Sequence, residues 1–368
     1  MNKNFCLIYN YAHHYRTDIF CLLDKEFSID FVFGDKYLDV KKMDYSLLEN
    51  FKKEVKNKVL FKKPIYYQTG VLRLFFERQY SSYLMLGETI CVSTWIMLFL
   101  CKIFNKKIYF WSHGWYGKES PFRRSLKKIF FSLSDGTFLY NNYSRNLMIK
   151  HNFNQSKLHV IYNSLSYDSQ LKERSKVKES KIFKNKFNNT NKNLIFIGRL
   201  TKVKKLHLLI EALNILKNRH KHYNLILIGQ GESKHELINL VKKLNLLDVV
   251  WFYGASYNEA ELSNLIYNAD LCASPGNVGL TAIHSLTYGT PVITHNNFNY
   301  QMPEFESIEV NKTGLFFNYD DVNSLANNIE LWFEQNQDRN QIRRACYKVI
   351  DTKFNPYYQI EIFKKFLK

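Results

Sequence analysis

The sequence predicts two α/β domains, each a doubly wound parallel β-sheet with helices on both faces. Short apolar runs alternate with amphipathic segments in the second half, and the first half repeats this alternation less regularly. Such alternation is typical of strands that are buried on both faces by crossover helices. A polar stretch rich in Lys, Asn and Ser, residues 169–193, is interpreted as an exposed linker or a mobile entry into the second domain.

We place the first domain at residues 1–165 and the second at residues 166–352. A last helix, at about residues 353–368, is expected to pack back on the first domain. Two such domains would face each other across a cleft at the carboxyl ends of both sheets, where these folds bind ligands. The second domain's predicted strands are residues 194–197, 225–228, 249–253, 271–273 and 291–294. The first domain's are residues 5–9, 29–33, 83–86, 107–111, 137–140 and 158–161.

The composition is that of a globular protein: 46% of the 368 residues are hydrophobic and 23% are charged. The six cysteines are scattered without a C-x-x-C pair, which favours reduced thiols in a cytoplasm over disulfides or structural zinc. The longest apolar run, residues 90–104, is interrupted by polar residues and predicts a buried helix. The apolar stretch near the N-terminus is too short for the core of a signal peptide.

The net charge of +19 is the most informative bulk property. Basic residues outnumber acidic ones by more in residues 1–165 than in the rest of the chain. A basic first half indicates an anionic partner, which leaves nucleic acid, acidic lipid and phosphorylated substrate open. A general bias of the sequence towards Lys and Asn is the alternative explanation.

The first chemical motif is residues 195–213, where a predicted strand ends at Gly198. Arg199 follows directly, and Lys204 lies near the start of the next helix. Two cations at the end of a strand beside a helix N-terminus form a natural diphosphate site. Taken alone, a glycine turn with two solvated charges explains this motif as well.

The second motif is residues 274–293, where Gly276 and Gly279 lie between a strand and a helix. Glycines let a backbone approach a ligand closely, and the first-turn amides at Leu280 and Thr281 can bind an anion. Simple strand–helix packing is the alternative, and it explains the end of this helix better than its glycine-spaced start.

These motifs resemble the successive motifs of glycosyltransferase family 4 in order and spacing. The resemblance rests on GRLTKVKKL, LILIGQGESKHEL, VVWFYGASYNEAEL, NADLCASP and the block at residues 276–293. It is strong over about residues 193–320 and looser before them. It implies the two-domain GT-B fold and a retaining transferase, with the nucleotide sugar bound by the second domain.

The resemblance also implies roles for single residues. Arg199 and Lys204 match the basic pair that neutralises the donor diphosphate, which fits a reaction that builds negative charge on a leaving phosphate. The loop at residues 254–258, with Gly254 and Ser256, matches the region that reads the base. The sequence has no D-x-D motif, so the reaction is expected to need neither metal nor cofactor.

The sequence departs from the family at two acidic positions, which are Gly276 and His284 here. His284 can hydrogen-bond to ribose hydroxyls, and Asn277 is the neighbour that could substitute for the first acid. The departure leaves the donor's identity open, and with it the possibility of a non-catalytic relative.

In the first half, His113 follows a predicted strand beside Gly114, at the family position of a histidine that faces the donor sugar. A structural histidine is the alternative. The first strand–helix loop carries His13, His14 and Arg16, which we assign to acceptor contact.

Basic residues mix with apolar ones in residues 121–133, as they do in residues 51–78. This mixture is typical of helices on an anionic membrane surface, although a helix packing on its own core is the alternative. The membrane-surface candidates are Arg123, Arg124, Lys127 and Lys128. We therefore expect a cytoplasmic protein that associates peripherally with the inner face of the cell membrane.

The leading hypothesis is a metal-independent hexosyltransferase that moves a sugar from a nucleotide sugar to a lipid-linked or polysaccharide acceptor in surface glycan synthesis. A sugar-nucleotide epimerase of the same fold and a non-catalytic glycan- or membrane-binding subunit are the alternatives. Nucleic-acid binding is disfavoured because the basic stretches lack the aromatic signatures of known modules.

Overall fold

The computed structural model describes residues 4–36, 40–60, 64–335 and 338–367. The chain divides into two compact units, one of Met1–Ser166 with Asn355–Lys368 and one of Tyr167–Phe354. The change of unit falls one residue after the boundary expected from the sequence. Both units are Rossmann-like α/β domains with parallel sheets, so the predicted fold class is confirmed at this level.

The first unit is built on a seven-stranded parallel sheet in the order β3-β2-β1-β6-β7-β8-β9. Strands β4 and β5 form a separate antiparallel pair. The strands are β1 (Phe5–Tyr9), β2 (Ile29–Gly34), β3 (Phe51–Val55), β4 (Asn57–Leu60), β5 (Ile65–Gln68), β6 (Ser82–Leu86), β7 (Lys107–Ser112), β8 (Gly136–Leu139) and β9 (Leu158–Val160). The central strands are almost wholly apolar and buried, as expected for a sheet covered on both faces.

Two buried apolar clusters lie on the two faces of this sheet, one including Phe20 and Trp111 and the other including Phe110 and Phe130. The helices of this part of the chain are α1 (Thr17–Glu26), α2 (Val71–Phe75), α3 (Val92–Ile103), α4 (Pro121–Leu133) and α5 (Asn142–Lys150).

The second unit is built on a six-stranded parallel sheet in the order β12-β11-β10-β13-β14-β15. Counted within the unit this is the order 3-2-1-4-5-6 of dinucleotide-binding folds, and it reverses between β10 and β13. Its strands are β10 (Lys192–Ile197), β11 (Tyr223–Ile228), β12 (Val250–Gly254), β13 (Leu271–Ser274), β14 (Val292–His295) and β15 (Gly314–Phe317). Its helices are α6 (Tyr167–Lys176), α7 (Ile182–Phe187), α8 (Leu206–Asn218), α9 (Lys234–Lys243), α10 (Glu259–Asn268), α11 (Leu280–Thr287), α12 (Val322–Gln335) and α13 (Arg339–Thr352).

The last helix, α14 (Pro356–Phe366), belongs to the first unit. Its Phe363 is fully buried, with its ring centroid 5.3 Å from that of Trp111 and 4.6 Å from that of Phe138. Burying one apolar stripe in this way ties the end of the chain to the sheet where the chain began.

Three sequence-based expectations were wrong. The stretch at residues 169–193 is not an open linker, because it contains most of α6 and all of α7, and Phe183 of α7 is buried. Residues 51–78 form β3, β4, β5 and the short α2 instead of one amphipathic helix, and Lys62 and Lys63 of this segment lie outside the described residues. Helix α3 is only partly buried, because Phe99 and Ile103 are exposed.

Within the described residues, no helix combines the length and the apolar character needed to cross a membrane. All six cysteines are free thiols, and five of them are buried.

Candidate functional site

The first three strands of the second unit end in glycines that hold their carboxyl ends tightly together. The Gly198 amide donates to the Ile228 carbonyl at 2.9 Å, and the Gly229 amide donates to the Gly254 carbonyl at 2.8 Å. A Cβ on Gly229 would lie 1.8 Å from the Gly198 carbonyl oxygen. No side chain fits there, so close packing is the role of Gly229, and the strand ends form one compact edge.

Lys204 lies at this edge with its ammonium group anchored. Its Nζ donates to the backbone oxygen of Asn277 at 2.6 Å and to Asn277 Oδ1 at 2.8 Å. Burial lowers the pKa of Lys204 to about 8, with Glu304 opposing this effect and Arg199 adding to it. Burial and the neighbouring Arg199 charge both disfavour the charged form of Lys204. A bound anion would offset both effects, so this arrangement favours anion binding.

Arg199 is the second cation. It follows Gly198 at the end of β10, is exposed, and makes no ion pair or side-chain hydrogen bond with any described residue. Its charge is nevertheless close enough to act on Lys204. The edge therefore presents one anchored and one uncommitted positive charge.

Gly276 stands where the resemblance noted in the sequence implies an acidic residue, and its loop leaves no room for one. Its amide donates to the Lys204 carbonyl at 2.9 Å, and a Cβ would lie 2.1 Å from the Val203 carbonyl oxygen. The loop is pressed against the backbone that carries Lys204, so no side chain fits at residue 276. Asn277 instead supplies the polar group nearest to the ammonium.

Helix α11 begins at the same edge. Gly279 precedes it with a φ of 57° and a ψ of −152°, which favours glycine. The Thr281 hydroxyl donates to the Ile197 carbonyl at 2.7 Å and ties the first turn to the end of β10, while Leu280 is half-buried. The positive end of the helix dipole thus lies beside the two cations.

His284 is held by a carboxylate that sequence reasoning missed. Its Nε2 lies 2.9 Å from Glu259 Oε1, which also accepts hydrogen bonds from the Tyr288 hydroxyl at 2.5 Å and from Gln170 Nε2 at 3.2 Å. Burial would raise the pKa of Glu259, but His284 and the hydrogen-bond donors outweigh it and lower that pKa to about 2. A carboxylate of α10 thus lies beside His284. No sequence signal relates two residues on different helices.

The loop after β12 was predicted to read the base. Gly254 ends the strand with a φ of 102°, and the Ser256 hydroxyl donates to the Glu261 carboxylate, which also accepts from the Tyr253 hydroxyl. Because the Ser256 side chain is engaged, the backbone is the part of this loop best suited to meet a ligand.

In the first unit, the loop between β1 and α1 buries Arg16 and His13, while His14 is half-buried. Arg16 Nη2 donates to the Tyr140 hydroxyl at 2.5 Å, and the guanidinium lies 5.0 Å from the Trp111 ring centroid. Nδ1 of His14 lies 3.2 Å from the Lys41 carbonyl oxygen. Burial, with Arg16 and His14 adding to it, lowers the pKa of His13 to about 3, so its imidazole is neutral near pH 7.

His113 lies directly after β7, with its ring centroid 4.8 Å from that of Tyr140. Its backbone oxygen accepts a hydrogen bond from the Ser144 hydroxyl at 2.8 Å. Burial, with the charges of Arg16 and Lys127 adding to it, lowers the pKa of His113 to about 3. The structure therefore brings His13, Arg16 and His113 together at the carboxyl edge of the first sheet, while His14 faces Lys41.

Of the four membrane-surface candidates on α4, two face inward, so that assignment was wrong for them. Lys127 Nζ pairs with Glu119 Oε1 at 2.8 Å and donates to the Gly114 carbonyl at 3.0 Å. Arg124 is half-buried, and its Nη2 donates to the Glu119 carbonyl at 3.4 Å. Their spacing places them on the side of the helix that packs on the loop after β7. Arg123 and Lys128 are exposed.

Comparison with known proteins fits this geometry. Residues 177–349 match the family Glycosyl transferases group 1. The second unit is a glycosyltransferase group 1 domain. The expectation of a glycosyltransferase is thereby confirmed at the level of the domain family.

Two curated proteins and one solved structure are similar to this chain. An uncharacterized 41.2 kDa protein in the cps region of Klebsiella pneumoniae is 25% identical over 288 residues, which cover 72% of this chain and 74% of that protein. The Escherichia coli O-antigen biosynthesis glycosyltransferase WclY is 33% identical over 144 residues, 38% of each chain. The Anabaena protein HepE, solved with UDP, has a TM-score of 0.74 at 16% identity over 99% of each chain, which shows a shared fold.

The match covers 74% of the Klebsiella protein but only 25% to 39% of each of the other curated relatives. Most of this similarity is thus confined to one region of each protein.

Proposed function

We propose that the chain is a retaining glycosyltransferase of family 4 that transfers a hexosyl group from a nucleotide-diphosphate sugar to a glycan or lipid-linked acceptor in surface polysaccharide assembly. The observation that carries the proposal is the pair of cations at the edge of the second sheet. Asn277 anchors the Lys204 ammonium through two hydrogen bonds. The Arg199 guanidinium is exposed and has no ion pair or side-chain hydrogen bond with a described residue, so it can bind an anion. WclY, which shares a third of its residues over 144 positions, acts in O-antigen synthesis and supports the acceptor class.

In the proposed reaction, the bond between the sugar's anomeric carbon and the leaving phosphate breaks. The two cations neutralise the negative charge that develops on this phosphate. The leaving phosphate oxygen accepts the proton of the acceptor hydroxyl, whose oxygen forms the new bond on the same face of the sugar. Fixed cations stabilise this charge more in the transition state than in the ground state. Since Arg199 and Lys204 supply the positive charge, the reaction needs neither metal nor cofactor.

The remaining site residues are assigned by the same logic. The first turn of α11, at Leu280 and Thr281, faces the diphosphate, and the backbone at Gly254 faces the base. His284, oriented by Glu259, contacts the ribose. Neutral His113 can donate from one ring nitrogen and accept at the other, which suits contact with sugar hydroxyls.

The test is a transfer assay with the purified full chain and a panel of UDP-, GDP-, TDP- and CMP-sugars, with and without acceptor glycan. We expect one donor class to be consumed only with acceptor, to give a product that retains the anomeric configuration. Lys204→Ala and Arg199→Ala are expected to lower turnover by about two to three orders of magnitude without unfolding the chain. Near-normal turnover in both variants would refute the proposal.

A non-catalytic role is the second candidate, and the glycine at residue 276 favours it because the family's acid cannot be accommodated there. In that case the donor would raise the melting temperature of the chain without being transferred or hydrolysed. Consumption of the donor without acceptor, with a change of sugar configuration, would instead identify an epimerase.

The first unit is further proposed to bind the anionic inner face of the cell membrane from the cytoplasm, with no role in nucleic-acid binding. On α4, Phe122 is 77% exposed and Ile129 is 54% exposed, beside the exposed Arg123 and Lys128. On α3, which contacts α4, Ile103 is 74% exposed. Exposed large apolar side chains among cations are typical of membrane-surface helices.

Sedimentation with vesicles of phosphatidylethanolamine and 30% phosphatidylglycerol tests this surface. Replacing Arg123 and Lys128 by Gln is expected to lower binding about thirtyfold, because each of the two cations near an anionic surface contributes about 1 kcal/mol. The control changes Lys242 and Lys243 of α9 to Gln, which removes the same charge elsewhere. Equal loss in both double variants, or equal binding to neutral vesicles, would contradict the assignment.

A further inference from the structure

Buried polar atoms without hydrogen-bond partners gather at the carboxyl ends of β1 and β7. In the described part of the chain they are Asn10 Oδ1, Arg16 Nε and Nη1, Trp111 Nε1 and His113 Nδ1. Buried polar atoms in folded proteins are almost always paired, so several such atoms in one place indicate a missing partner. Most of them are or can be donors, which points to a ligand rich in acceptor oxygens.

Arg16 is the centre of this cluster. It is 6% exposed, and its guanidinium is surrounded by the rings of Tyr9, Tyr15, Trp111 and Tyr140 at 5.0 to 5.8 Å. No carboxylate of the described residues forms an ion pair with it, and among these residues the guanidinium makes one hydrogen bond, to the Tyr140 hydroxyl. Ring faces attract a cation, but a buried charge without an opposite charge remains unfavourable.

The other described groups around Arg16 add no negative charge. Burial and the Arg16 charge keep His13 and His113 neutral near pH 7, and Lys127 acts on His113 as a further cation. Tyr9 and Tyr140 share a hydrogen bond at 3.0 Å, and burial raises the pKa of both hydroxyls, which stay protonated. Among the residues that the structure describes, the cluster is therefore positive and rich in donors, and it contains no counterion.

We propose that this cluster binds an oxyanion of the acceptor, either a phosphate or a carboxylate on a sugar. Arg16 supplies the charge and two donor nitrogens, Trp111 and His113 supply further donors, and Asn10 Oδ1 accepts from a sugar hydroxyl. Tyr15 is the one ring of the four that is not buried, so the ligand enters by displacing it. This inference rests on the proposed function and narrows its acceptor to an anionic sugar.

The oxyanion is assigned to the acceptor because the proposed donor already has two cations of its own, Arg199 and Lys204, in the second unit. If the Arg16 cluster served the donor instead, loss of the Arg16 charge would weaken the binding of UDP. The two sources are therefore separated by measuring donor and acceptor probes on the same variants.

The experiment measures binding of inorganic phosphate, glucuronic acid, neutral glucose and UDP to the full chain by titration calorimetry. The variants are Arg16→Met and Arg16→Lys, with Arg73→Met, an exposed arginine of the same unit, as the control. We expect the wild type, Arg16→Lys and Arg73→Met to bind glucuronic acid and phosphate in preference to glucose. Arg16→Met should lose at least about tenfold in affinity for both anions, with unchanged affinity for UDP.

Thermal unfolding without ligand separates this role from a structural one. An apolar side chain of similar length removes an unpaired buried charge, so Arg16→Met should melt at or above the wild-type temperature. A lower melting temperature together with unchanged anion affinity would overturn the inference, and so would loss of UDP affinity. Such a result would leave the proposed transferase intact, because that depends on the Arg199 and Lys204 variants.

Discussion

The pH dependence of donor binding follows directly from the environment of Lys204. In the structure, burial holds the pKa of its ammonium at about 8, below the ordinary value of 10.5. A bound diphosphate favours the charged form and raises this pKa, so binding above pH 8 takes up a proton. The affinity for UDP is therefore expected to fall as the pH rises through 8.

The size of the effect follows from the protonated fraction. With a pKa of about 8, Lys204 is about nine-tenths protonated at pH 7 and about one-tenth protonated at pH 9. If UDP binds only the protonated form, its dissociation constant rises about tenfold between these two pH values, which is about 1.4 kcal/mol of binding free energy. A weaker preference for the protonated form gives a smaller rise.

Titration calorimetry with UDP at pH 7.0, 8.0 and 9.0 and constant ionic strength measures this dependence. Lys204→Arg is the matched control, because a guanidinium stays protonated over the whole range and should bind with little change. Arg199→Ala should bind more weakly at every pH while keeping a pH dependence. A wild-type affinity that does not change with pH, or a Lys204→Arg variant with the same dependence, would refute the reasoning.

Two further outcomes are expected. Gly276→Ala should lower the free energy of unfolding by about 1–3 kcal/mol or more in urea titrations, because the new Cβ would lie 2.1 Å from the Val203 carbonyl oxygen; a variant as stable as the wild type would argue against this contact. Glu259→Gln should be less stable than the wild type by up to about 3 kcal/mol at pH 6. Since the pKa of Glu259 is lowered from 4.5 to about 2, this difference should disappear as the pH falls from 4.5 to 2, and a difference that stays constant with pH would contradict it.

The fold could be predicted from the sequence because its determinants are local. The apolar run at residues 194–197 and the periodic apolar positions from Leu206 to Leu216 became β10 and α8. The secondary-structure predictions were wrong where a polar composition obscured the spacing of the apolar residues. Many lysines and asparagines concealed α6 and α7, in which few residues are buried, and short strands at the edge of the first unit were taken for a helix.

The candidate site could be predicted only where residues close in sequence meet. Arg199, Lys204 and the loop at Gly276 lie at the carboxyl edge of the second sheet, as their positions after predicted strands indicated. Glu259 reaches His284 from another helix, and Tyr140 reaches Arg16 across 124 positions, so neither contact leaves a mark on local sequence. The inward turn of Lys127 depends on Glu119, which composition alone could not reveal.

A crystal structure of the full chain with bound UDP tests the central claim most directly. We predict that the diphosphate lies at the carboxyl end of β10, within hydrogen-bonding distance of Lys204 Nζ and of the Arg199 guanidinium. A diphosphate bound elsewhere, with both cations still turned to solvent or to the protein, would contradict the assignment of this edge as the donor site.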